Sequence, residues 1–197
     1  MTPATKPSID PIRWQPPPST PLPPPDLERR LRIVALPGLG PEDVVADGRG
    51  AVYTGVIGGE IMRIDAESGS HEVIGDTGGR PLGLAVARDG RLLICDSHRG
   101  LLAMNVATGE FDTLVDQFEQ RPLKFCSNVV ESSDGTIYFT ESTDRFHYEF
   151  YKAAVLEGRG SGSLFRRAPD GTVTRLASDL HFANGVTLTA DESAVVF

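Results

Sequence analysis

The chain is poor in the features that mark several functional classes. It has only two cysteines, Cys95 and Cys126, in 197 residues, too few for a disulfide framework and without the Cys/His spacing of a zinc site. Both are expected to be reduced, half-buried thiols. Positive charge is scarce: 19 Lys and Arg against 27 Asp and Glu leave a net charge of −8, which repels a phosphate backbone or an anionic lipid surface. Neither nucleic acid nor a membrane is therefore an expected partner. No apolar run approaches the roughly 18 residues that span a bilayer, and residues 1–35 lack the short apolar stretch of a secretory signal. These absences predict a soluble, cytoplasmic chain.

Proline, by contrast, is abundant and unevenly placed. Of 15 prolines, 12 stand at or before Pro41, and such density removes backbone donors and favours extended polyproline conformations. Residues 1–35 therefore read as an N-terminal arm, with Ile9, Ile12, Trp14 and Leu22 able to lie along a domain surface as a strap. A loosely ordered arm fits the same composition. Beyond it, residues 36–197 carry short Val, Ile, Leu and Phe runs broken by Gly and Asp-Gly, the punctuation of an all-β fold.

Those runs repeat. Pro41-Glu42-Asp43-Val44-Val45-Ala46, Pro81-Leu82-Gly83-Leu84-Ala85-Val86, Ser127-Asn128-Val129-Val130 and Ala183-Asn184-Gly185-Val186 share one frame, with steps of 40, 45 and 57 residues. A period of about 40 to 45 residues with four short strands per unit is the pattern of a β-propeller blade. In the second unit, strands are predicted at 84–87, 91–95, 101–105 and 111–115. The third is lengthened by an insertion at 145–160, whose centre at 148–156 is the one plausible helix. Three such units and the first hairpin of a fourth fall short of a closed ring. The expectation is a chain truncated to about three and a half blades, prone to self-association through open edges.

In a propeller the first strand of each blade lines the central channel, so the residues just ahead of those strands, Glu42, Leu82, Ser127 and Asn184, should meet at its mouth. The second-to-third turns, 55–59, 96–99 and 141–144, open onto the same face. A carboxylate with amide and hydroxyl oxygens suits a hard divalent cation such as calcium; Glu42 after proline and Asn184 before glycine suit ordinary turns equally well. His98, on one of those turns, is a candidate general base, or else a solvated turn residue. Phe146, Tyr148, Phe150 and Tyr151 of the insertion are placed to form a lid, or to pack on the rim.

Several motifs, in this order, resemble those of strictosidine synthase-like proteins: Gly40-Pro41-Glu42-Asp43, Cys95-Asp96-Ser97-His98-Arg99-Gly100, Lys124-Phe125-Cys126-Ser127-Asn128, Asp134-Gly135-Thr136-Ile137-Tyr138-Phe139-Thr140-Glu141-Ser142 and Phe182-Ala183-Asn184-Gly185-Val186. That family is related to gluconolactonase, senescence marker protein, luciferin-regenerating enzyme and the paraoxonases. The resemblance implies a six-bladed β-propeller about twice this length. It also implies a divalent cation, usually calcium, held by Glu42, by Asn184 and by a third ligand from the intermediate blade. There the family usually carries Asn-Asp or Asn-Asn, and this chain has Ser127-Asn128. Serine is the weaker ligand, so Asn128 is expected to supply the amide oxygen through a one-residue shift. Further ligands and catalytic carboxylates of the family would lie beyond Phe197. The function expected is a calcium-dependent hydrolase of small lactones or esters; a carbon-nitrogen lyase of the strictosidine synthase kind and a non-catalytic binding module are the alternatives.

Overall fold

The computed structural model describes residues 5–12, 15, 18–21 and 33–197. Trp14 and Leu22 of the expected strap lie outside the described residues. Three four-stranded antiparallel sheets follow one another along the chain. The first holds β1 (Val44–Ala46), β2 (Ala51–Gly55), β3 (Glu60–Asp65) and β4 (His71–Asp76). The second holds β5 (Pro81–Val86), β6 (Leu92–Asp96), β7 (Gly100–Met104) and β8 (Phe111–Val115). After a small hairpin of β9 (Gln117–Phe118) and β10 (Arg121–Pro122) comes the third, with β11 (Cys126–Glu131), β12 (Ile137–Glu141), β13 (Gly162–Arg167) and β14 (Val173–Leu180). The chain ends on the hairpin of β15 (Thr187–Leu188) and β16 (Val195–Val196). Each sheet is ordered as its strands follow in sequence, which is the meander of a propeller blade.

The hairpins between first and second strands repeat one device. The Asp47, Asp89, Asp134 and Asp191 carboxylates accept the backbone N–H two residues on, at 2.7, 3.0, 2.9 and 3.2 Å. An aspartate that folds back in this way closes a tight turn without help from the rest of the molecule. The four Asp-led turns are the local reason why the repeat frame becomes four hairpins.

Blades pack face to face through the middle sheet. Leu92, Ile94, Leu102 and Met104 join Tyr53, Ile61 and Leu84 on one side. Leu93, Cys95, Leu101 and Ala103 join Cys126, Val129, Phe139 and Phe165 on the other. Because successive strand residues point to opposite faces, residues 92–95 and 101–104 must be apolar throughout, and every residue of β6 and β7 is buried, the carboxylate Asp96 at the end of β6 included. The expectation of half-buried thiols is corrected here. Cys95 and Cys126 are fully buried, with their sulfurs 3.0 Å apart across the interface, and burial together with Cys95 pushes the Cys126 thiol well above its usual range.

The first strands approach closely at the axis. A Cβ on Gly83 would stand 2.4 Å from Asn128 Cα and 2.5 Å from the Ser127 carbonyl oxygen, so only glycine fits there. The insertion forms a 3-10 turn, Tyr148–Phe150, running into α1 (Tyr151–Glu157), which ends on Gly158 at φ 64°. Phe146, Ala153 and Ala154 bury its inner side with Phe150 and Phe182.

Candidate functional site at the channel mouth

The four frame residues do meet. Glu42, Leu82, Ser127 and Asn184 line one cavity of about 280 Å³, together with Phe125, Tyr148, Tyr151 and Phe182. β5 and β11 both carry an extra residue opposite the second strand, between Pro81 and Leu84 and between Cys126 and Val129. A bulge of this kind bends the strand and re-aims its side chains, here at the very residues that reach the mouth.

Ser127 Oγ donates to Asn184 Oδ1 at 2.7 Å. The loop bearing Asn184 is fixed from below, as Thr140 Oγ1 donates to the Asn184 carbonyl at 2.6 Å and Ser142 Oγ to the Ala183 carbonyl at 2.6 Å. Partial burial and the neighbouring Asp43 charge raise the Glu42 pKa above the usual carboxylate value, against the opposing pull of Arg80. Among the described residues no three His, Cys, Asp or Glu side chains converge as a metal cluster. The oxygens gathered here are one carboxylate, one amide and one hydroxyl.

Asn128 does not line this cavity. Its Nδ2 donates to Asp43 Oδ2 at 3.3 Å and its Oδ1 accepts the Val186 N–H at 3.2 Å, so both ends of the amide tie the first strands together. Asp43 Oδ2 also accepts the Leu84 N–H at 2.9 Å. The shift expected to turn Asn128 toward the mouth is therefore corrected: Ser127 holds the mouth position, and Asn128 staples the axis.

Two carboxylates at the ends of second strands brace the loops around the cavity. Asp96, fully buried, accepts Thr77 Oγ1 at 2.7 Å and the N–H groups of Arg80, His98 and Arg99 at 3.0, 2.9 and 3.1 Å. Glu141, also fully buried, takes both arms of Arg121 at 2.9 and 2.6 Å and the Lys124 N–H at 2.9 Å. Asp96 thereby seats Arg80, whose guanidinium lies over the Tyr148 ring at 4.9 Å.

His98 is held at the rim rather than in the cavity lining. Its Nε2 is 2.9 Å from Glu149 Oε1, and its ring meets Tyr148 edge-on at 6.5 Å. Of the four insertion aromatics expected as a lid, Tyr148 and Tyr151 face the cavity, whereas Phe146 and Phe150 pack beneath. Rings continue around the wall, with Phe125 5.8 Å from Tyr148 and 5.6 Å from Phe182. Phe125, Phe182 and Arg80 were not singled out as site residues by sequence reasoning. A signal existed: each stands two positions ahead of a frame residue, as Gly40 does in the first blade.

Comparison with known proteins agrees with this fold. Residues 39–197 match the family described as "SMP-30/Gluconolactonase/LRE-like region". Protein STRICTOSIDINE SYNTHASE-LIKE 6 of Arabidopsis thaliana is 33% identical over 186 residues, covering 89% of this chain and 50% of that protein. The adipocyte plasma membrane-associated protein of Salmo salar is 32% identical over 176 residues, covering 80% of this chain and 42% of its own length. A gluconolactonase structure from Xanthomonas campestris superposes with a TM-score of 0.61 at 23% identity, covering 76% of this chain and 50% of that one. The chain thus spans about half the length of the curated relatives it matches. With its blades, its channel-mouth frame and a family match over 159 of 197 residues, the chain belongs to the SMP-30/gluconolactonase/LRE-like family.

Proposed function

We propose that the cavity at the channel mouth is the binding site of a metal-assisted hydrolase acting on small lactones or esters. The observation that carries this reading is the convergence of Glu42, Ser127 and Asn184 from three blades onto the polar floor of one cavity whose wall is aromatic. That donor set suits a hard divalent cation, for which calcium is the proposed identity, with the Glu42 carboxylate as its charged ligand and the Ser127 and Asn184 oxygens as neutral ones. When bound, such a cation polarises a carbonyl or lowers the pKa of water. Leu82, Phe125, Tyr148, Tyr151 and Phe182 exclude solvent from the acyl compound. Glu149 orients the His98 imidazole at the rim, where it is the candidate acceptor of a proton from water.

Hydrolysis of phenyl acetate and of dihydrocoumarin, followed with calcium and after chelation, tests the proposal. Turnover that disappears with chelator and returns with added calcium is expected. Turnover indifferent to chelation would exclude the cation, and no turnover of either compound at any calcium level would count against the hydrolase.

The division of labour between Ser127 and Asn128 gives a second test, read in melting curves with and without calcium. Asn128→Ala is expected to cost about 1 to 3 kcal/mol of stability, because it leaves the Val186 N–H without its partner and takes one of two donors from Asp43 Oδ2, and to keep the calcium response. Ser127→Ala is expected to do the opposite, with little loss of stability and a weaker response. The reverse pattern would return the ligand role to Asn128.

A further inference from the structure

We infer that residues 8–12 form a strap that sets the aromatic wall of the cavity, with the buried carboxylate of Glu157 as the positioning residue through which it acts. The inference rests on the reading of the cavity as a ligand site.

Glu157 is the last residue of α1 and is 1% exposed, an unusual place for a carboxylate unless it is fully partnered. Its partners come from two directions. From the insertion, Arg145 donates Nε to Oε2 at 3.1 Å and its terminal nitrogen to Oε1 at 3.1 Å. From the arm, the Asp10 N–H donates to Oε1 at 3.1 Å, and the Ile12 N–H donates to the Glu157 backbone carbonyl at 2.8 Å. Arg159, just past the helix, donates to the Asp10 carbonyl at 3.0 Å and pairs with the Asp10 carboxylate. Exposed pairs of the latter kind contribute little alone, so the contacts with the buried Glu157 are the ones that decide where the strap lies.

The path from strap to cavity is short. Glu157 ends the same helix that Tyr151 begins, and Tyr148 stacks on Tyr151 at 5.9 Å between ring centres. Both tyrosines line the cavity. The helix has seven residues, too few to hold itself in water, so its place depends on what it packs against. Phe146, Ala153 and Ala154 anchor one side; the strap closes the carboxyl end, where the last carbonyls of a helix lack partners within the helix. The Ile12 N–H satisfies one of them.

Amide hydrogen exchange on the full chain reads the strap without ligand or metal. Ile12→Pro removes that single N–H at a half-exposed position and is expected to speed exchange across residues 148–157 by about five- to tenfold, roughly the worth of one hydrogen bond, with exchange in the three blades unchanged. Ile12→Val keeps the N–H and should match the unaltered protein. A chain lacking residues 1–12 should show the larger version of the same local effect. In parallel, equilibrium binding of 4-chromanone, an aryl ketone with no ester bond to cleave, should weaken about fivefold in Ile12→Pro. Unchanged exchange in both variants overturns the strap. Faster exchange with unchanged ketone affinity overturns its control of the wall. If the unaltered protein binds no ketone, the site reading falls and this inference with it, an outcome distinguishable because the exchange result stands alone.

Discussion

Replacing Asp96 with alanine is expected to lower the unfolding free energy by about 3 to 5 kcal/mol. The carboxylate is fully buried and accepts one hydroxyl and three backbone N–H groups. Its removal leaves the Arg80 and His98 N–H groups without this acceptor, while Thr77 Oγ1 keeps the Gly59 carbonyl at 3.3 Å and the Arg99 N–H keeps the backbone carbonyl of residue 96 at 3.2 Å. Each unsatisfied donor costs about 1 to 3 kcal/mol. Denaturant titration measures the loss, and Asp89→Ala is the control, because that carboxylate lies in an exposed turn with side-chain exposure of 52%. A loss below about 1 kcal/mol would show that the loop does not hang on Asp96. Arg80 is seated by the same carboxylate, so the variant should also disturb the packing of Tyr148 at the cavity.

Glu42→Gln should abolish the calcium-induced rise in melting temperature, because the only charged oxygen lining the cavity among the described residues is lost. The sign of the metal-free effect is informative. Burial and Asp43 raise the Glu42 pKa, so the native state binds this proton more tightly than the unfolded chain. A carboxyl raised in this way favours the fold at pH below its ordinary value and costs stability once pH exceeds its raised one. At neutral pH, glutamine removes that cost, and the metal-free variant should melt at or slightly above the temperature of the unaltered protein. Calcium binding to the latter should release protons as pH approaches the raised value, and affinity should fall as pH is lowered through it. A variant that keeps the full calcium increment would remove Glu42 from the site; one that melts far lower without metal would make Glu42 a structural residue.

The blade frame was legible because it is written in local chemistry. Each Asp-led turn closes on its own backbone, and residues 92–95 and 101–104 are apolar at every position because they are covered on both faces. The meeting of Glu42, Leu82, Ser127 and Asn184 followed from the repeat alone. The orientation of Asn128 did not: it depends on a bulge and on acceptors and donors as far away as Asp43 and Val186. Spacing along one strand carries no record of these. His98 was placed on the correct face, but its capture by Glu149 required the insertion to fold back over that turn. Phe125 and Phe182 were overlooked because a phenylalanine ahead of a strand reads as core, and only the shared offset from the frame marks it as wall.

Gly83 bears on the angular pitch of the wheel. Adjacent inner strands here approach until a single added carbon would overlap the next blade's backbone by about 1 Å, judged against ordinary carbon contacts of about 3.5 Å. In a radial array, a wedge that thick near the hub turns the neighbouring blade through a large angle, because the lever arm is short. The bare α-carbon thus acts as a spacer of zero thickness. An alanine at 83 would trouble the geometry of every blade counted after it more than the packing of its own, which makes this position a gauge of how many blades a full turn can admit.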